Sequence, residues 1–243
     1  MTRALPLAVV LLLFVAVPCV DAGDDGCRFD RGVLVHGRRD SGLVALTFDA
    51  CPTSHVPPFA ADIVDELVRA PAPATFFISG RWAEANPAAL RRLTEEPSFE
   101  IALHGYSHRH MNGASRELIL AEIEDGRAAL RQLGETPQAL FRPPYGETPP
   151  VMQQAARDAG VTPVLWDVAP GDPDPHETAA HIERDVLRQV EGGSIVVMHV
   201  NGRGVATAAA LPAVLKGIQA RGLRLAKVSD LVRGCDAVPP EAP

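Results

Sequence analysis

Polar residues with acid, base or ligand chemistry follow directly on short apolar runs of this chain. Asp49 follows Leu46-Thr47-Phe48, His104 follows Ile101-Ala102-Leu103 and Arg142 follows Leu140-Phe141. Asp167 and Asp172 come after Val164-Leu165-Trp166, and His199 closes Ile195-Val196-Val197-Met198. Any one of these serves equally well as a helix cap or a solvated charge. Their shared position is what points to a site, because parallel α/β sheets and barrels gather functional groups at the C-terminal ends of their strands. Carboxylates and imidazoles converging on one rim suit proton transfer to and from a reacting group. His104 and His108 are four residues apart, and on a helical turn that spacing sets two imidazoles on one face, ready for a divalent cation. A pair of solvated histidines has the same spacing, and His110 reads as such a surface residue. Arg142-Pro143-Pro144-Tyr145-Gly146 is stiffened by two prolines and ends in glycine, so a fixed backbone presents Tyr145 to a groove.

The elements that must position these groups are short. Apolar runs at Leu43–Phe48, Thr75–Ile78, Glu100–Leu103, Leu140–Arg142, Thr162–Val168, Ser194–His199 and Leu223–Lys227 lack alternation, as strands covered on both faces do. Phe59, Ile63 and Leu67 are spaced by four, as are Ile182, Val186 and Val190, which puts an apolar stripe on each of two helices. Ser115 starts a longer helix through Leu118, Ile119, Ile123, Leu130 and Leu133, and Gly134 ends it. Strands alternating with helices imply an α/β fold with parallel pairing and right-handed crossovers. Seven strands are one short of the usual eight-stranded barrel.

Composition agrees with one globular domain. Of 243 residues, 47% are hydrophobic and 22% charged, and 23 Lys and Arg face 30 Asp and Glu for a net charge of -7. That balance repels phosphate backbones and excludes nucleic acid as a natural partner. Residues 1–22 read as a signal peptide, with Arg3, an apolar run from Leu7 to Val17 and small residues before a cleavage point near Ala22. The run is too short to span a bilayer, so no transmembrane anchor is expected after cleavage, and the protein is expected in the periplasm or outside the cell. Residues 23–237 then form the domain and 238–243 a disordered tail. In an oxidising compartment Cys27 and Cys235, at the two ends of the domain, are expected to form a disulfide, which leaves Cys51 over.

The order of the pieces resembles a known family. Thr47-Phe48-Asp49, the pair His104 and His108, Arg142-Pro143-Pro144-Tyr145-Gly146, Trp166-Asp167-Val168-x-x-x-Asp172 and Val197-Met198-His199 are similar to the five successive motifs of the polysaccharide deacetylases. That family is also known by its NodB homology domain and as carbohydrate esterase family four. The strand Ala74 to Gly80 is similar too, and the resemblance runs from about Leu43 to Val232. It implies a distorted (β/α) barrel of about seven parallel strands and a metal-dependent amidase acting on N-acetylated glycans such as peptidoglycan, chitin-like oligomers or exopolysaccharide. The implied roles are Asp49 as base, His199 as acid and His104 and His108 as ligands of a divalent metal such as zinc. The Tyr145 N–H would lie in the oxyanion hole, Arg142 would steady Asp49, and Asp172 would orient His199. Trp166 would wall the sugar site. Apart from the resemblance, the loop Asn201-Gly202-Arg203-Gly204 just after His199 reads as a rim loop that helps choose the substrate, with Asn201 as a substrate contact.

One position departs from the pattern. Family members carry a second aspartate, the third metal ligand, where this chain has Ala50. Three outcomes stay open: a metal held by His104, His108 and water with Asp49 recruited, a replacement ligand from Cys51 or His55, or a site that only binds saccharide. Hydrolysis of another amide, such as a formamide on a lipid-linked sugar, is a further alternative.

Overall fold

A computed structural model describes residues 26–54 and 58–235. The expected leader, the tail and His55 lie outside the described residues. The domain opens with an antiparallel hairpin of β1 (Arg28–Asp30) and β2 (Val33–His36). The main sheet holds β3 (Leu43–Ala50), β4 (Ala74–Ile78), β5 (Phe99–Leu103), β6 (Leu140–Phe141), β7 (Thr162–Pro163), β8 (Ile195–His199) and β9 (Arg224–Ala226). Its order is β7-β6-β5-β4-β3-β8, with β9 beside the first residues of β3, and every pair is parallel.

The sheet curls because its two edges are joined by one segment. Thr162 and Pro163 pair with β6, Val164 bridges Leu34 of β2, and Val168 bridges Val196 of β8. The result is the distorted (β/α) barrel that the family resemblance implies. Around it lie α1 (Ala61–Arg69), α2 (Gly80–Ala85), α3 (Pro87–Thr94), α4 (Arg116–Gln132), α5 (Pro150–Asp158), α6 (Ala179–Gln189), α7 (Thr207–Ala220) and α8 (Val228–Arg233).

Side-chain alternation sorts the strands into two layers. Leu46, Phe48, Phe76, Ile78, Ile101 and Leu103 pack outward with Ile63 and Leu67 of α1, Ile119 and Ile123 of α4 and Ile182 and Val186 of α6. Ala45, Phe77, Ala102, Val164 and Ile195 face inward with Leu34. Each fully buried Leu, Ile or Phe contributes about 1.5–3 kcal/mol, so these stripes dictate which way each strand faces. On β3 the inward set continues above Ala45 as Thr47 and Asp49, both buried.

Helix signals held where they were strongest. Ser115 Oγ accepts from Leu118 N at 3.3 Å and caps α4. Gly134 follows that helix with φ +86°, and Glu135 N donates to Leu130 O to close it. The expected strand Thr162–Val168 is instead a two-residue strand followed by single bridges. Asp167 is the cause, since its carboxylate accepts from Ile195 N at 2.7 Å and from Arg39 Nη1 at 2.9 Å. It pulls the segment to the N-terminal end of β8, away from the rim where the sequence placed it. The hairpin, α2, α3, α5, α7 and α8 were not expected; α7 (Thr207–Ala220) is apolar nearly all round and contains Pro212, so no stripe marks it.

Cys27 and Cys235 are joined, with Cα atoms 5.6 Å apart and 208 residues between them in sequence. A loop of that length places the stabilisation at the upper end of the range, about 3–5 kcal/mol. Replacing both cysteines by serine should lower the urea-unfolding free energy by about that amount; an unchanged midpoint would show that the ends are held by packing alone.

Candidate active site

The C-terminal ends of β3, β8 and the loops after β5 and β6 enclose a cavity of about 230 Å³. Asp49, Cys51, His104, His108, Tyr145, Trp166, Asp172, His199 and Arg203 line it. A larger groove of about 430 Å³ opens elsewhere, beside Lys227 and Asp230, but its buried acid Glu100 is already bonded to Thr75 Oγ1 and Ser229 N.

The deepest charged pair is Arg142 with Asp49. Arg142 Nη1 donates to Asp49 Oδ1 at 2.7 Å and to Thr47 Oγ1 at 2.8 Å, and Nη2 reaches Leu165 O at 3.2 Å. The guanidinium lies over the Phe77 ring at 4.0 Å and 5.4 Å from that of Trp166. Burial alone would raise the Asp49 carboxyl, yet the Arg142 charge outweighs it and holds the group below its usual 3.8. Asp49 is therefore ionised at neutral pH.

His199 is the direct neighbour of Asp49 on the adjacent parallel strand. Its Nδ1–H donates to Asp172 Oδ1 at 2.9 Å, and its backbone N–H donates to Asp172 Oδ2 at 2.8 Å. Burial pulls the imidazole down, but the Asp172 bond and the charges of Asp172 and Asp49 prevail, so its pKa lies above 6.5. An ionised carboxylate and an easily protonated imidazole thus stand side by side.

His104 and His108 behave oppositely. His104 Nδ1–H donates to Arg142 O at 2.8 Å, and burial holds the ring below 6.5, so its bare Nε2 faces Asp49 Oδ2 at 3.7 Å. Two lone-pair donors facing one another with no proton between them suit a cation. Burial and the neighbouring His104 lower His108 to about 3, and the two ring centroids are 4.9 Å apart. The pair is not on a helical turn. Gly105 at φ +73° and His108 itself at φ +63° fold the loop back, a left-handed conformation that a residue with a Cβ adopts at a cost of about 1–2 kcal/mol. Two neutral nitrogens fit a metal, but among the described residues no three His, Cys, Asp or Glu are grouped to hold one.

Ala50 cannot fill the gap. It is fully buried in the outer layer, while Asp49 and Cys51, two apart on one side of the chain, line the cavity. The alternation of the strand thus brings Cys51, one of the two replacement ligands considered from the sequence, to the cavity side. Burial and the Asp49 charge push the Cys51 thiol up to about 11, and Asn201 Nδ2 donates to its sulfur at 3.2 Å and its carbonyl at 3.0 Å. Asn201 is itself fully buried, so it positions Cys51 and has no surface for a sugar. The cavity-lining member of that loop is Arg203, which the sequence had named only as part of the loop. Tyr145 is 55% exposed with φ +60°, and its ring stacks on His110 at 3.9 Å and meets His108 at 4.6 Å. His110, read as a plain surface residue, therefore backs the most exposed aromatic of the site.

A family model described as polysaccharide deacetylase matches residues 36–164. The chain is 31% identical over 196 residues to the peptidoglycan-N-acetylglucosamine deacetylase of Bacillus cereus, covering 79% of this chain and 88% of that protein. It is 30% identical over 189 residues to the peptidoglycan-N-acetylglucosamine deacetylase PgdA of Listeria monocytogenes, covering 77% of this chain and 38% of that longer protein. Among solved structures, the Bc1960 peptidoglycan N-acetylglucosamine deacetylase in complex with 4-naphthalen-1-yl-N-oxidanyl-benzamide superposes with a TM-score of 0.75 at 26% identity, over 81% of this chain and 91% of that one.

The depressed His108 pKa has a consequence for stability. The unfolded chain takes up this proton near pH 6.5 and the folded chain only near 3, so stability is complete above 6.5 and drains as pH falls between the two values. In metal-free protein, His108→Gln should show a shallower loss of thermal midpoint between these limits than the parent; parallel curves would mean that His108 titrates normally.

Proposed function

The chain belongs to the polysaccharide deacetylase family, and from that premise we propose that it is an exported hydrolase removing N-acetyl groups from amino-sugar glycans. The observation that carries the reading is the adjacency of an ionised Asp49 and a proton-rich His199 on neighbouring strand ends. Pairs whose environments push their pKa values apart divide the acid and base roles.

In the proposed reaction, Asp49 takes a proton from a water whose oxygen attacks the acetyl carbonyl carbon. The developing oxyanion accepts a hydrogen bond from the backbone N–H of Tyr145, which the rigid Pro143-Pro144 turn fixes in place. His199 gives its proton to the amide nitrogen, the C–N bond breaks, and acetate and the free amine leave. Arg142 keeps Asp49 ionised and aimed, and Asp172 keeps the His199 Nε2 edge towards the substrate. Trp166 and the exposed face of Tyr145 offer apolar surface to the sugar. A divalent ion such as zinc, held by His104 and His108 with water in place of the ligand that Ala50 does not provide, would polarise the carbonyl and acidify the water. Export is supported by the Cys27–Cys235 disulfide and by the apolar leader; no helix among the described residues is long and apolar enough to cross a membrane.

Acetate release from N-acetylated chitooligosaccharides and from peptidoglycan fragments tests the reading. Asp49→Asn and His199→Ala should each lower kcat by about 10²–10⁴, and chelation should depress the rate with zinc restoring it. Because His199 acts in its protonated form, activity should decline as pH rises through its pKa, and Asp172→Asn should move that decline to lower pH. No acetate from any of these glycans, with or without metal, would leave only a saccharide-binding role. Undiminished release in His104→Ala under chelation would remove the metal.

A further inference from the structure

One charge in the cavity wall has no part in the reaction just described. Arg203 lies in the loop after β8 and lines the same cavity as Asp49, His108 and His199. Its side chain has no hydrogen-bond or ion-pair partner among the described residues, and its Nε is buried without an acceptor. Leaving such a donor unsatisfied costs about 1–3 kcal/mol. The fold holds it there regardless.

The loop is built to fix that side chain. Gly202 turns the backbone at φ +81°, and Arg203 O accepts from Val205 N at 3.0 Å. Gly204 presses so closely on the acid pair that a Cβ there would meet His199 O and Thr207 Oγ1 at 2.6 Å and Asp172 Oδ2 at 2.8 Å. The backbone beside Arg203 is thus seated on the His199–Asp172 unit and cannot drift without it.

The two carboxylates of the cavity are already engaged. Asp49 is paired with Arg142 at 2.7 Å and Asp172 with His199 at 2.9 Å. Neither is left over for Arg203, whose guanidinium faces the cavity unmatched. An acetamide is neutral and does not answer this charge.

We propose that Arg203 is a subsite for a carboxylate carried by the glycan beside the acetamido group, so that the preferred substrate is an acidic N-acetylated saccharide. The placement of the acetamide rests on the deacetylase reading; the unmatched charge does not. A guanidinium presents a planar fork that a carboxylate meets with two parallel bonds. A cavity of about 230 Å³ is smaller than the ~300 Å³ at which pockets for drug-sized ligands begin. The carboxylate therefore belongs on the same sugar ring or its immediate neighbour.

The test compares two disaccharides that differ in one group. One is N-acetylglucosaminyl-N-acetylmuramic acid, whose lactyl ether carries a carboxylate next to the acetamido carbon, and the other is the same molecule with that carboxyl amidated. Calorimetric binding to the full chain should favour the acid by about tenfold, with the ratio shrinking as salt is raised. Arg203→Lys should keep part of the preference, and Arg203→Ala should bring the ratio close to one. Equal affinity of the parent protein for acid and amide, no detectable binding of the acid, or a preference that survives in Arg203→Ala would each overturn the subsite. Acetate release from the same pair is read separately. An acid preference that follows Arg203 without any acetate release supports the subsite while sinking the deacetylase reading, and release at equal kcat/KM from both, unaffected by Arg203→Ala, does the reverse.

Discussion

A guanidinium buried to zero exposure at the centre of the barrel sets the terms for the rest of the molecule. Arg142 must have a counter-charge and acceptors or it would not be there, since an unpaired charge in such a place costs several kcal/mol. Its partners come from separate parts of the chain: Asp49 and Thr47 from β3, the Phe77 ring from β4, and Leu165 O and the Trp166 ring from the segment that joins the sheet edges. The curl of the sheet and the ionisation of Asp49 are consequently one requirement. If the segment after β7 did not cross the gap, Arg142 would lose an acceptor and a ring face together.

From that centre the interior divides by height. Below lie Leu34, Ala45, Phe77, Ala102 and Ile195, a dry apolar layer; above it Thr47, Asp49, Arg142 and His104 form a polar one. The same burial acts on every ionisable group of the upper layer, and the neighbours decide the sign of the outcome. Arg142 brings Asp49 down, Asp172 brings His199 up, and for His104 and His108 burial outweighs the pull of Asp49 and lowers both. An acid, a base and two nitrogen donors arise within a few residues of one another from one low-dielectric setting.

How much of this the sequence disclosed depended on which physical rule governed each residue. Asp49, His104, Arg142 and His199 follow apolar strands, so strand polarity alone carried them to one rim. Ser115 and Gly134 marked a helix because caps are local chemistry. Asp167 obeyed the same strand-end rule and broke it, because a salt bridge to Arg39, distant in sequence, drew it to the other end of β8. The spacing of His104 and His108 suggested a helical turn, but the two imidazoles are brought together by a left-handed loop that residue spacing does not reveal. Cys51 was legible in principle: period-two alternation from Asp49 already puts it on the cavity side and Ala50 on the other. Arg203 carried no signal, since a lone arginine in a glycine-rich loop is ordinarily solvated.

Alternation also explains how this chain accommodates Ala50. The proposed proton-transfer pair is held by protein groups that owe nothing to a metal, Asp49 by Arg142 and Thr47, and His199 by Asp172, whose second oxygen is bonded to the His199 backbone and to Thr207 Oγ1. His104 is fixed through its other nitrogen by Arg142 O, and His108 by its contacts with His104 and the Tyr145 ring. An alanine at position 50 therefore leaves in place every group that would act on the substrate. Position 50 packs against the outer helices, where its methyl group is fully buried in the apolar layer. The position that departs from the family pattern is thus held by outer-layer packing, independently of the hydrogen bonds that orient Asp49 and His199.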